Sequence, residues 1–191
     1  MKNVRVVVVD NLADGTSKVT EDIQPSPFFT INDGHEMTEL WYSEKETTLS
    51  NAPSDIQKEF SNNLEPGAKR FIRSIFPPFS SVKQYGKAHG VSLDKKFLMH
   101  NTTTIDFAVV IKGQIELITE NESIVLNAGD CIVQKATVHS WVNPGSEPTE
   151  MVFVMIGVDV PASYKPQLID FKVPVNIDYP SKKNKADNDL E

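Results

Sequence analysis

Short runs of alternating apolar and polar residues recur at close spacing between about residue 69 and residue 160. They are Arg70 to Phe76, Thr103 to Ile111, Gln114 to Thr119, Ser123 to Leu126, Cys131 to Gln134, Val138 to Val142 and Met151 to Val158. A period of two sends successive side chains to opposite faces of a strand. Turn chemistry separates most of these runs, at Lys112-Gly113, Glu120-Asn121 and Asn127-Ala-Gly129-Asp130. No long helical period interrupts them. Many short strands without intervening helices predict an all-β barrel or sandwich rather than a parallel α/β sheet.

The flanks read differently. Residues 1–68 are mixed and turn-rich, with strands expected at Val4 to Val9 and Glu36 to Tyr42, packed on the barrel. One short helix is expected from Ser54 to Asn62, with Ser54 as N-cap and Gln57 at the capping-box position. Gln84 to Phe97 reads as a long connection. Because it feeds directly into His100, it is expected to border a cavity as a mobile lid. The barrel occupies residues 69–160. Residues 161–191, with Pro161, Pro166, Pro174 and Pro180, read as an extended tail.

Composition narrows the function classes. The formal charge of −7 over 191 residues repels phosphate backbones and anionic lipid, so neither nucleic acid nor a membrane is an expected partner. No stretch approaches the ~20 apolar residues that span a bilayer. The single cysteine, Cys131, rules out an internal disulfide and suits a cytoplasmic setting; its place in a strand predicts a buried, inert thiol.

Chemistry concentrates in two runs. In an extended segment His100, Thr102, Thr104 and Asp106 share one face, while Ile105, Phe107, Val109 and Ile111 make an apolar set on the other. His139, Trp141 and Asn143 share a face of a later run. If these runs oppose each other, His100, Asp106 and His139 converge as two imidazoles and a carboxylate. Such a set holds a divalent metal, whether iron, manganese, nickel, cobalt or zinc, and leaves positions open. Thr102, Thr104 and Trp141 would line the pocket. Taken singly, each histidine is equally a hydrogen-bonded barrel residue. Of the other two histidines, His89 is expected in a solvated loop and His35 in an exposed turn.

His100-Asn-Thr102-Thr-Thr-Ile-Asp106, with six residues to Gly113, resembles the first cupin motif: His-x-His, three or four residues, Glu, six residues, Gly. Gly129-Asp130 through His139-Ser-Trp-Val-Asn143 resembles the second. The resemblance covers roughly residues 70 to 158. It implies a cupin double-stranded β-helix, a jelly-roll barrel with N-terminal strands and one or two short helices. Three departures stand out. Thr102 replaces the second histidine, Asp106 replaces glutamate, and Gln134-Lys-Ala136 replaces the proline-x-glycine element. The resulting reduced His/Asp/His ligand set, with Ile75-Phe-Pro-Pro78 and Glu39-Leu-Trp41-Tyr upstream, is similar to a cupin subgroup of fungal and bacterial small-molecule pathways.

The resemblance implies a metal-dependent enzyme of a small organic molecule, by oxygenation, decarboxylation, isomerisation or dehydration. A non-catalytic binding or sensing barrel is the alternative, favoured by Thr102; a metal-free structural barrel is a third. The apolar face of Ile105, Phe107, Val109 and Ile111 needs a cover, which predicts a homodimer.

Overall fold

The computed structural model describes residues 4–27, 29–30, 34–44, 63–95 and 99–161. In chain order the elements are β1 (Val6–Asn11), β2 (Ser17–Ile23), β3 (Phe29–Thr30), β4 (Glu36–Ser43), β5 (Lys69–Phe76), α1 (Phe79–Ala88), β6 (Thr104–Lys112), β7 (Gln114–Thr119), β8 (Ser123–Asn127), β9 (Cys131–Lys135), β10 (His139–Val142) and β11 (Thr149–Gly157). The expected helix at Ser54 to Asn62 lies outside the described residues.

Two sheets face each other. The larger runs β3-β4-β5-β11-β6-β9 and the smaller β10-β7-β8; β1 and β2 form a separate hairpin. All pairings within these sheets are antiparallel. This is the all-β architecture that the strand pattern predicts and the jelly roll that the cupin resemblance implies. No helix among the described residues is long and apolar enough to cross a membrane.

The register aligns residues in rows that share a face. One inner row reads Met37, Ser74, Met151, Val110, and the next Ile72, Phe153, Ala108. From the smaller sheet Ile115 and Trp141 close against them, and Trp141 meets the Phe153 ring edge-on at 5.9 Å between centroids. These apolar side chains form the core. Thr149 ties the two sheets together: its hydroxyl donates to the Gln114 carbonyl at 2.6 Å and accepts from the Gln114 amide at 3.2 Å. Gly113 makes this contact possible. Its φ is +82°, and a Cβ there would stand 2.7 Å from Thr149 Oγ1.

The outer face of the larger sheet is the reverse of the inner one. Phe107 is 47% exposed, and its register neighbours Val133 and Val154 are 62% and 39% exposed. The expected cover for the Ile105, Phe107, Val109 and Ile111 face is therefore not supplied by the described part of one chain. Cys131 lies on this side of the edge strand β9 and is exposed, which corrects the buried thiol expected from its strand position. An edge strand has a neighbour on one side only, so an outward side chain stays in water.

The connection after β5 also differs from expectation. Phe79–Ala88 is a helix, not a loop. Its sequence, FSSVKQYGKA, hides the helical period because its buried position is Gly86. A Cβ there would stand 2.7 Å from the Leu93 side chain, so the missing methyl is what lets the following segment pack. That segment runs along the far face of β10. Ser140, which alternates with His139 and Trp141, donates to the Lys95 carbonyl at 3.0 Å, and Lys95 pairs with Glu116. Up to Lys95, then, the segment is not a lid over the histidines. His89 caps α1 and is exposed, as expected of it.

Candidate functional site at the polar end of the barrel

His100 and His139 are neighbours. Their backbones form an antiparallel bridge, each amide donating to the other's carbonyl at 2.8 Å. Their rings lie 4.4 Å apart between centroids. Residues on two such paired positions present their side chains to the same side.

His139 is buried and has a defined tautomer. Its Nδ1 lies 2.8 Å from the Thr137 carbonyl, which can only accept, so Nδ1 carries the proton. The lone pair is then on Nε2. Burial, with the charge of neighbouring His100 adding to it, pulls the His139 pKa down to about 3. The ring is neutral at physiological pH. Trp141 meets it edge-on at 5.7 Å, which places Trp141 as a wall between His139 and the Phe153 core.

Asp106 lies on the inner face of β6. Thr102 and Thr104 are buried beside it, and their hydroxyls are joined at 2.8 Å. Burial pushes the Asp106 carboxyl up to about 6, against the lowering effect of the Thr104 hydroxyl. The two imidazoles and Asp106 do not close into one ligand set: among the described residues, no three His, Cys, Asp or Glu side chains stand close enough to hold a metal ion together. Of the three expected ligands, the rings of His100 and His139 lie side by side, and Asp106 stands on β6. The shorter aspartate, one methylene less than the glutamate of the motif, reaches less far from its strand.

Three further residues were misread or missed in the sequence. Asn143 is a structural tie: its amide donates to the carbonyls of Phe76 and Glu147 at 3.0 and 2.8 Å and its oxygen accepts from the Gly145 amide at 2.8 Å. His35 is not exposed but stacks on Phe76 at 4.9 Å, and burial lowers its pKa to about 4. Arg70 sits on the inner row Tyr42, Arg70, Met155, Asp106, Gln134, where it is buried against Glu39 at 3.0 Å. Its place in an alternating run gave no sign that a cation would be inside.

Ala136 stands where the second motif has glycine, and its backbone is left-handed, with φ +49°. This bend turns the chain from β9 toward His139, and the Ala136 amide donates to the Thr104 carbonyl at 2.9 Å.

Two facing antiparallel sheets with an imidazole pair and a buried carboxyl inside define a jelly-roll barrel built around an internal polar site. Residues 93–155 match the family model described as Cupin domain, and this part of the chain is a cupin domain. It is 29% identical over 132 residues to the cupin-domain-containing oxidoreductase fogC of Aspergillus ruber, a match covering 66% of this chain and 59% of that protein. It is 30% identical over 130 residues to the cupin-domain-containing oxidoreductase srdD of Neurospora crassa, covering 63% and 58%. A shorter match, 43% identical over 61 residues, links it to phomopsin biosynthesis cluster protein C' of Diaporthe leptostromiformis, covering 31% of this chain and 32% of that protein. The chain thus spans under three fifths of the length of the two oxidoreductases.

Proposed function

We propose that this chain is a cupin enzyme that turns over a small organic molecule inside the barrel, with a divalent metal held by His100 and His139 and with Asp106 serving the substrate. The observation that carries this reading is the imidazole pair: two rings 4.4 Å apart, one of them neutral and fixed by Thr137 so that its Nε2 lone pair is available. A neutral imidazole held through its other nitrogen meets the conditions of a metal ligand. A bound divalent ion would supply Lewis acidity and open positions for substrate or water. Asp106, with a pKa near neutrality, would take up or release a proton at the substrate. Trp141, Phe153 and Met155 exclude water around it. Of oxygenation, decarboxylation, isomerisation and dehydration, the two oxidoreductase relatives favour the oxidative reaction.

The absence of a third acidic or imidazole ligand among the described residues favours a second reading, a binding barrel without turnover. Titration with Co2+ separates the two. The enzyme reading expects saturable visible absorption from cobalt on nitrogen ligands in the wild type, and its loss in folded His139→Ala. No absorption change in the wild type supports the binding barrel instead.

We also propose that two chains pair through the outer face around Phe107, Val133 and Val154, since an apolar patch of this kind favours a partner. Light scattering at micromolar concentration should give a dimer, and Phe107→Lys a monomer; a wild-type monomer ends this proposal.

A further inference from the structure

The β1–β2 hairpin carries an apolar face that the barrel does not use. β1 opens with four valines, Val6 to Val9. Val7 and Val9 alternate onto one side of β1, and Val19 stands in register opposite Val9, so the three share a face. They are 45%, 62% and 50% exposed. The ion pair of Arg5 with Asp22, at 2.7 Å, closes one end of this patch, because Asp22 is the register partner of Val7. β1 and β2 pack on each other and make no extended contact with another element among the described residues. A two-stranded hairpin on its own is marginally stable at best in water, and it is stabilised when its apolar face is covered.

The outer face of the larger sheet is a second surface of the same kind. Its central row runs Val133, Phe107, Val154, Phe71, Trp41 across five strands. At a strand spacing of about 4.8 Å that row is ~19 Å long, and the six residues of β1 extend ~20 Å. Two β surfaces of this shape pack face to face with their side chains interdigitated. The outer face alone offers only a few exposed apolar side chains, Phe107, Ile111, Val133 and Val154, against the about 800 Å² that each partner of a stable pair buries. The hairpin valines supply further area.

One chain leaves both surfaces open. They also belong to opposite edges of the fold: the hairpin leads into β3 at one edge of the larger sheet, while Phe107 and Val133 lie on β6 and β9 at the other. A two-fold axis carries each hairpin to the other chain's face and makes both contacts at once. We propose that the β1–β2 hairpin is an arm exchanged between two copies of this chain, its Val7, Val9 and Val19 face lying on the Phe107, Val133 and Val154 face of the second copy. This rests on the reading that two chains pair through that outer face, and it names what fills it.

The test uses the full chain. A wild-type monomer in light scattering ends the pairing reading, and the exchange with it. With a wild-type dimer, Val9→Asp should weaken pairing at least about tenfold in sedimentation, since a charge replaces a buried valine, and should leave the melting of the barrel unchanged. Unchanged pairing overturns the exchange and leaves the outer-face dimer standing. A second variant uses Cys131, which is exposed on the same side of β9 as Val133. Under mild oxidation Val9→Cys should cross-link two chains where the wild type does not, and adding Cys131→Ser should abolish the link. A link that survives Cys131→Ser sets the two hairpins against each other. A disulfide within a single chain sets the hairpin on its own barrel. Either of these, a link equally strong in the wild type, or no link at all overturns the exchange.

Discussion

Along β6 the barrel interior changes character within a few residues. Asp106 shares its inner row with Gln134 and with Arg70 of the Arg70–Glu39 pair, whereas Ala108 and Val110 pack with Phe153, Met151 and Ile115. Both ends are equally buried, yet one is made of groups that lose hydration on folding and the other of groups that gain from losing it. The apolar end carries the stability. The polar end is maintained at a cost, and the pKa values of His139 and Asp106 record it, each shifted toward its neutral form by burial. If this division is right, changes at the two ends separate stability from site chemistry.

The largest effect is expected at the apolar end. Met151→Ala removes a fully buried side chain and should cost about 2–5 kcal/mol, read from the urea midpoint. The folded fraction should keep its cobalt spectrum. Loss of that spectrum in protein that is still folded would mean that the two ends are not independent.

Acid comes next. His35 has a folded pKa of about 4, below its ordinary value near 6.5, so the unfolded chain binds its proton first. Its contribution is therefore complete above pH 6.5 and is lost as pH falls toward 4, by about 3 kcal/mol. Buried His139 acts in the same direction and over a wider range. Asp106 acts oppositely: its raised pKa favours the folded state at low pH and that advantage fades as pH rises through 6. Two histidines outweigh one carboxyl, so chemical denaturation at pH 7 and pH 4.5 should give a less stable protein in acid. His35→Leu should flatten part of that dependence while leaving cobalt binding at pH 7 intact. Equal stability at both pH values would contradict the buried neutral histidines.

The smallest effect sharpens the border between the ends. Ala136 holds a left-handed backbone that costs an L residue about 1–2 kcal/mol, partly offset by the unfolded-state entropy of glycine. Ala136→Gly should therefore raise stability by about 1 kcal/mol, seen as a melting shift of roughly 2–4 °C. A lower melting point would mean that the bend is not strained.

Much of this was legible in the sequence where a residue's role follows from alternation. β4, β5 and β6 to β11 appear within two residues of their expected ends, because turn residues and period two both mark them. The inward placement of Thr102, Thr104 and Asp106, with Phe107 and Ile111 outward, follows from the same period. What was not legible depends on partners distant in sequence. α1 was hidden because Gly86 occupies its buried position. His35 lies near a turn, and its burial comes from Phe76, some forty residues on. Gln134 was legible only as a departure from the second motif, and its pairing with Asp106 emerges only from the register.

The central claim is that His100 and His139 are the metal-holding groups and that Asp106 stands apart from them. Metal content per chain, measured after saturation with iron, manganese, nickel, cobalt or zinc and dialysis, tests it in wild type, His139→Ala and Asp106→Asn. The account predicts close to one equivalent of at least one of these metals in wild type and in Asp106→Asn, and almost none in His139→Ala. Loss of metal from Asp106→Asn as complete as from His139→Ala would make Asp106 a third ligand and contradict the account.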